Sequence, residues 1–162
     1  MAQLLQQAQQ MQQDLAAAQE ELGAYGAQAA AHGLRPDVAI AIDVTYATDV
    51  PGDDPATGGH HVLGGGAAIF RGPAINPRVF ELLAETAREE GIAHTIEAGM
   101  KTYTDADATF AAGEGIPTGV VSIPLRNMHS PIEIVELGDL EACIELLTAF
   151  AARVRPDETY AR

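Results

Sequence analysis

Residues 36–52 read PDVAIAIDVTYATDVPG, and this stretch decides the fold. Between Val38 and Val44 every residue but Asp43 is apolar. A run of this length, rich in β-branched side chains and bounded by Pro36 and Pro51, predicts a strand buried on both faces, as in a parallel sheet. Asp43 falls at the carboxyl end of that run. In open α/β sheets, ligands gather beyond the carboxyl ends of the strands. A carboxylate there needs a partner, because burying it alone is strongly unfavourable. A metal ion is one answer, and the backbone N–H groups of the following loop are another.

Outward from this strand, helix and strand patterns alternate. Residues 24–32 predict a short helix ended by Gly33. Residues 45–66 form a long loop, and 67–70 a short strand. Asn76-Pro77 has N-cap and first-turn chemistry and opens a helix to Glu90, closed by Gly91. Residues 94–98 predict a strand, 105–112 a short helix ended by Gly113, and 119–123 a second buried strand. Asp139 reads as the cap of a last helix over 140–154, and 156–162 (PDETYAR) as a frayed tail. Together these predict an α/β fold with a mostly parallel sheet over 23–155. Four strands are few, and the open backbone edge they leave calls for a cover.

Residues 1–22 differ from the rest. Leu4, Ala8, Met11, Leu15, Ala18 and Leu22 alternate in steps of four and three, the heptad seam of an amphipathic helix. The alanines weaken that seam, so the helix needs a partner, either another copy or the body of the protein.

Composition excludes several classes. The net charge of −14 opposes counterion-release binding to nucleic acid, and the lack of tryptophan removes stacking platforms. There is no apolar run of membrane-spanning length and no signal-peptide pattern, which predicts a cytoplasmic protein. The single cysteine, Cys143, lies in the apolar periodicity of the last helix and reads as an inert packed thiol.

The remaining chemistry rests on few residues. His129 follows the 119–123 strand after a turn and precedes Ser130-Pro131. Glu20 and Glu21 are adjacent, so they project in different directions and suit different tasks, one ligating and one taking a proton. From composition alone, a solvated helix face is the favoured reading of the pair. Thr104 and Asp105 precede the short helix, where Asp105 fits an N-cap. His32, His60, His61 and His94 read as surface or packing residues.

The segments QEELGAYGAQAA, PDVAIAIDVTYATDVPG, LGGG, GPAINPRVFELL, TDADA, GIPTGVVSIPLRNMHSP and LGDLEACIELLTAF, in this order, resemble the C-terminal part of the dinuclear metal aminopeptidases. These include glutamyl and tetrahedral aminopeptidases and members once called cellulases. The resemblance runs from about residue 19 to 154. It implies Glu20 as general base, Glu21, Asp43 and His129 as metal ligands, and Thr104 and Asp105 as supporting residues near the site. It also implies a zinc or cobalt cofactor, a peptide substrate and a homo-oligomer. The family's further histidine and its bridging aspartate come from an upstream half. With that half absent, at most one metal is held, and activity is weak unless a separate chain supplies the rest. Residues 1–24 resemble the first helix of YbaB/EbfC-type nucleoid-associated proteins. Two other readings follow: a non-catalytic assembly module, and a DNA-binding protein, which the charge opposes.

Overall fold

The computed structural model describes residues 10, 24–51, 56, 59–155 and 157–160. The heptad segment 1–22, apart from Gln10, lies outside them, and so do Glu20 and Glu21. In chain order the elements are α1 (24–34), β1 (Ala39–Tyr46), β2 (Ala67–Arg71), α2 (Pro77–Glu89), β3 (His94–Ala98), α3 (Ala106–Thr109), β4 (Thr118–Arg126), β5 (Ile134–Val135) and α4 (Leu137–Arg153).

The two apolar runs pair with each other. β1 lies parallel to β4, from Ala39 opposite Thr118 to Tyr46 opposite Leu125. β2 and β3 form a second parallel pair. The two pairs join where β2 meets β4 antiparallel, at Ala68–Ser122 and Ile69–Val121. The order is β1-β4-β2-β3, with β5 added antiparallel to the end of β4. The α/β sheet is therefore mixed and mostly parallel.

Alternation along β4 sends Val120 and Val121, both fully buried, to opposite faces. On one face α2 and α4 close the main core with Ile69, Val79, Leu83, Val121, Leu146 and Phe150. The other face carries a smaller core of Phe70, Ile75, Ala106 and Val120 beside α3. Gly119 has no room for a side chain: a Cβ there would lie 2.8 Å from both Ile40 and Val79. Asn76 caps α2 as its sequence predicts, accepting from the Arg78 and Val79 N–H groups.

Several expectations change. β1 is not buried on both faces. It pairs with β4 alone among the described strands, and Ile42 and Tyr46 are 60% and 57% exposed. Ile40 packs on the core, but α2 and α4 lie over β2 and β4 and leave the later residues of β1 open. α1 runs through Gly33, and the left-handed residue after it is Arg35 (φ 46°). The tail is docked over the described residues 157–160. Tyr160 is 4% exposed, and its carbonyl accepts from the Asn76 side chain at 2.7 Å.

Asp139 does not cap the last helix. α4 begins at Leu137, and the Asp139 carboxylate is fully buried. It accepts the N–H groups of Gly64 (2.9 Å) and Gly66 (2.7 Å), which fixes the glycine loop entering β2. Gly66 has φ +90°, and a Cβ there would sit 2.0 Å from the Ala93 carbonyl oxygen.

Asp139→Ala leaves two N–H groups without an acceptor in a closed site. Urea unfolding should show a loss of about 3 kcal/mol, the scale for buried groups deprived of a charged partner. A loss below about 1 kcal/mol would mean that the loop is held by other contacts.

Candidate functional site

β1 does not end at Asp43. It continues through Val44 and Thr45 to Tyr46, because β4 offers ladder partners as far as Leu125. β4 likewise runs on past Ile123 to Arg126, with Pro124 inside it. The Ala47 N–H bonds to the Leu125 carbonyl, so Leu125 faces β1 and Pro124 faces the opposite side. On that side Pro124 falls between the contacts of β4 with β2 and with β5, where a missing donor costs little.

Alternation places Ala41, Asp43 and Thr45 on the face of the smaller core. This face is concave. Thr45 Oγ1 donates to Glu97 Oε1 at 2.9 Å, although Thr45 is on β1 and Glu97 on β3. Three strand spacings separate these strands, roughly 14 Å on a flat sheet, so the face must curl to bring them together. The resulting cleft, about 470 Å³, is lined by Asp43, Thr45, Phe70, Glu97, Thr102, Thr104, Met128 and His129 among others.

Asp43 and His129, predicted from separate segments, therefore share one cleft. The Asp43 Oδ1 accepts the Val44 N–H at 2.8 Å. His129 is exposed and has φ +61°, as does Asn127 two residues before it. Its backbone N–H donates to Glu133 Oε1 at 2.7 Å. A left-handed backbone is uncommon outside glycine and is often kept at functional sites.

Two further groups hold the cleft in shape. Arg126 makes a bidentate pair with Asp49, both bonds at 2.7 Å, and Asp49 also accepts the Leu63 N–H. This fastens the loop after β1 to the end of β4, just before His129. The Arg126 guanidinium lowers the Asp49 carboxyl to about 2. Beyond β3, Asp107 accepts the N–H groups of Thr102 and Tyr103. The Thr104 hydroxyl accepts the Ala106 N–H at 3.2 Å and pairs with the Thr102 hydroxyl.

Thr104 thus lines the cleft and performs the capping expected of Asp105. Asp105 has helical backbone angles, makes no capping bond and is exposed. Glu97 was missed. Burial raises its carboxyl, the Thr45 bond pulls it back, and the Asp43 charge raises it again. The available signal was a lone carboxylate within the short strand HTIEA. His61 is a packing residue as expected, buried with Nδ1 2.7 Å from Thr95 Oγ1. Among the described residues no three His, Cys, Asp or Glu side chains converge as a metal-ligand group. No described helix is long and apolar enough to cross a membrane.

Comparison with known proteins gives a consistent result. A family model described as M42 glutamyl aminopeptidase matches residues 1–146. A lysyl aminopeptidase of Pyrococcus furiosus is 36% identical over 145 residues, covering 88% of this chain and 40% of its own. An aminopeptidase structure from Desulfurococcus kamchatkensis superposes with a TM-score of 0.78 at 37% identity, over 85% of this chain and 40% of that one. The TET1 peptidase of Pyrococcus horikoshii, described as assembling into a tetrahedron or a large octahedral shell, matches with a TM-score of 0.64 at 27% identity, over 84% and 39%. The chain spans about 40% of the length of these relatives.

A carboxyl whose folded value lies below its unfolded value stabilises the fold above that unfolded value and loses the contribution as pH falls. For Asp49 the window runs from 3.8 down to about 2. Arg126→Met should therefore be less stable than the parent by a constant margin above pH 4, and the margin should close toward pH 2. Chemical denaturation across that range reads it directly, and a margin independent of pH would remove the ion pair as its cause.

Proposed function

This chain belongs to the M42 glutamyl aminopeptidase family, and from that premise we propose that it takes part in removing N-terminal residues from peptides with metal-activated water. The observation that carries the reading is the shared cleft of Asp43 and His129. A carboxylate oxygen and an imidazole nitrogen suit a zinc- or cobalt-class divalent cation. Asp43, His129 and Glu21 are the ligands in this reading, and Glu20 is the base that takes the water's proton and passes it to the leaving amine. A bound cation supplies Lewis-acid polarisation of the carbonyl and acidifies the water. Thr104 lines the cleft, and in this reading Thr104 and Asp105 support the site from its flank.

A two-metal centre takes about five or six protein ligands, and these three hold at most one ion. The 162 residues alone therefore turn over peptides weakly. Full activity requires further ligands from outside these residues. The described assembly of the TET1 relative favours a homo-oligomer. A second reading, a non-catalytic assembly module, draws support from Ile42, Val44 and Tyr46, exposed along a strand with one described partner. Side-chain preference does not follow from kinship, since the family description names glutamate and one relative is lysyl-specific by name.

Elemental analysis after zinc or cobalt loading, with turnover of amino-acid nitroanilides, tests the reading. Asp43→Asn and His129→Ala should each weaken metal binding at least about tenfold, and Glu20→Gln should abolish the residual turnover. Metal uptake indifferent to both ligand substitutions would overturn it. A monomeric mass by light scattering at about 10 µM, a concentration that reveals ordinary micromolar interfaces, would count against both assembly readings.

A further inference from the structure

The cleft that contains Asp43 and His129 extends to Glu97. Glu97 comes from β3, on the far side of the sheet, and the curl of the sheet brings it into the same space. Its hydrogen-bond partner there is the Thr45 hydroxyl. Phe70, Tyr103 and Met128 wall the cleft, and among the described residues no lysine or arginine lines it. Lys101 stacks on the Tyr103 ring at 5.1 Å without entering the lining.

A half-buried carboxylate with a neutral partner is incompletely compensated. A ligand's positive charge would complete it through a charge-assisted hydrogen bond. The walls define the rest of that ligand. Aromatic rings and a thioether favour a flexible alkyl stem, and ring faces attract the cation at its end. A lysine or arginine side chain has this form. Neither an acidic nor a short polar side chain does, and the first would meet like charge at both Glu97 and Asp43.

On the hydrolase reading given above, we propose that Glu97 is a specificity residue that selects peptides whose N-terminal residue is lysine or arginine. The substrate's amine and scissile bond lie against Asp43 and His129, the alkyl stem packs on the apolar walls, and its terminal cation meets Glu97. The assignment concerns recognition and leaves the water-activating step unchanged.

Calorimetric titration of the full chain with lysinamide and norleucinamide isolates the contribution. The two share an α-amine and a four-carbon stem and differ in the terminal ammonium. The parent should bind lysinamide about tenfold more tightly, the scale of one charge-assisted hydrogen bond. E97Q, which keeps an acceptor for Thr45, should bind both equally, and E97D should retain part of the preference. Unchanged circular dichroism and melting of each variant exclude misfolding as the cause. Equal binding in the parent, binding of neither amide, or a lysine preference that survives in E97Q overturns the assignment. Turnover of nitroanilides is read separately: its absence beside an intact lysinamide preference counts against hydrolysis and not against Glu97.

Discussion

Two backbone N–H groups that end on one buried carboxylate hold this structure in register. Asp139, in the first turn of α4, accepts from Gly64 and Gly66, 75 and 73 residues earlier in the chain. Without that acceptor the glycine loop would bury unpaired donors at the point where the chain returns to the sheet. With it, β2 is delivered at a fixed angle between β4 and β3. The loop that precedes it is fastened at its other end by Asp49 to Arg126. The same carboxylate adds to the burial that pushes the Cys143 thiol up to about 11, which keeps that cysteine protonated and inert.

The shape of the cleft follows from strand direction. β1 and β4 run together, and β2 runs against β4, so the sheet has no single row of carboxyl ends. Asp43 and Glu97 do not gather at one edge as in a doubly wound sheet. They meet because the sheet curls on the face that bears small residues, Ala68 and Ser122, and because Thr45 spans the curl. The loops at either side, held by Asp107 and by the Arg126–Asp49 pair, close the flanks.

Most elements were legible from local chemistry. Asn76-Pro77 and Gly91 bounded α2 as read, and the apolar runs located β1 and β4. Asp43 and His129 were singled out by their places near the ends of apolar runs, and the fold brings them to one cleft. What remained hidden depends on partners far along the chain. Asp139 resembles an N-cap locally, but its acceptor bonds go to Gly64 and Gly66. The tail looks polar enough to fray, yet Tyr160 finds a slot beside Asn76. Glu97 carries no motif and acquires meaning when a strand three places away curls over it. The exposed row on β1 was hidden for the converse reason: an apolar run shows that a strand wants cover and not whether the described chain provides it.

The electrostatics of the cleft link its two ends. Asp43 and Glu97 are close enough for the charge of one to raise the carboxyl of the other, on a protein whose net charge is already −14. A cation at either end relieves both. In the proposed reading, the field that favours a divalent ion beside Asp43 and His129 is therefore the field that favours an ammonium beside Glu97. Each occupant reduces the attraction left for the other, and the reduction is reciprocal by linkage. In the proposed reading the two occupants therefore compete, since Glu97 bonds to Thr45, two residues from Asp43 on the same face of β1.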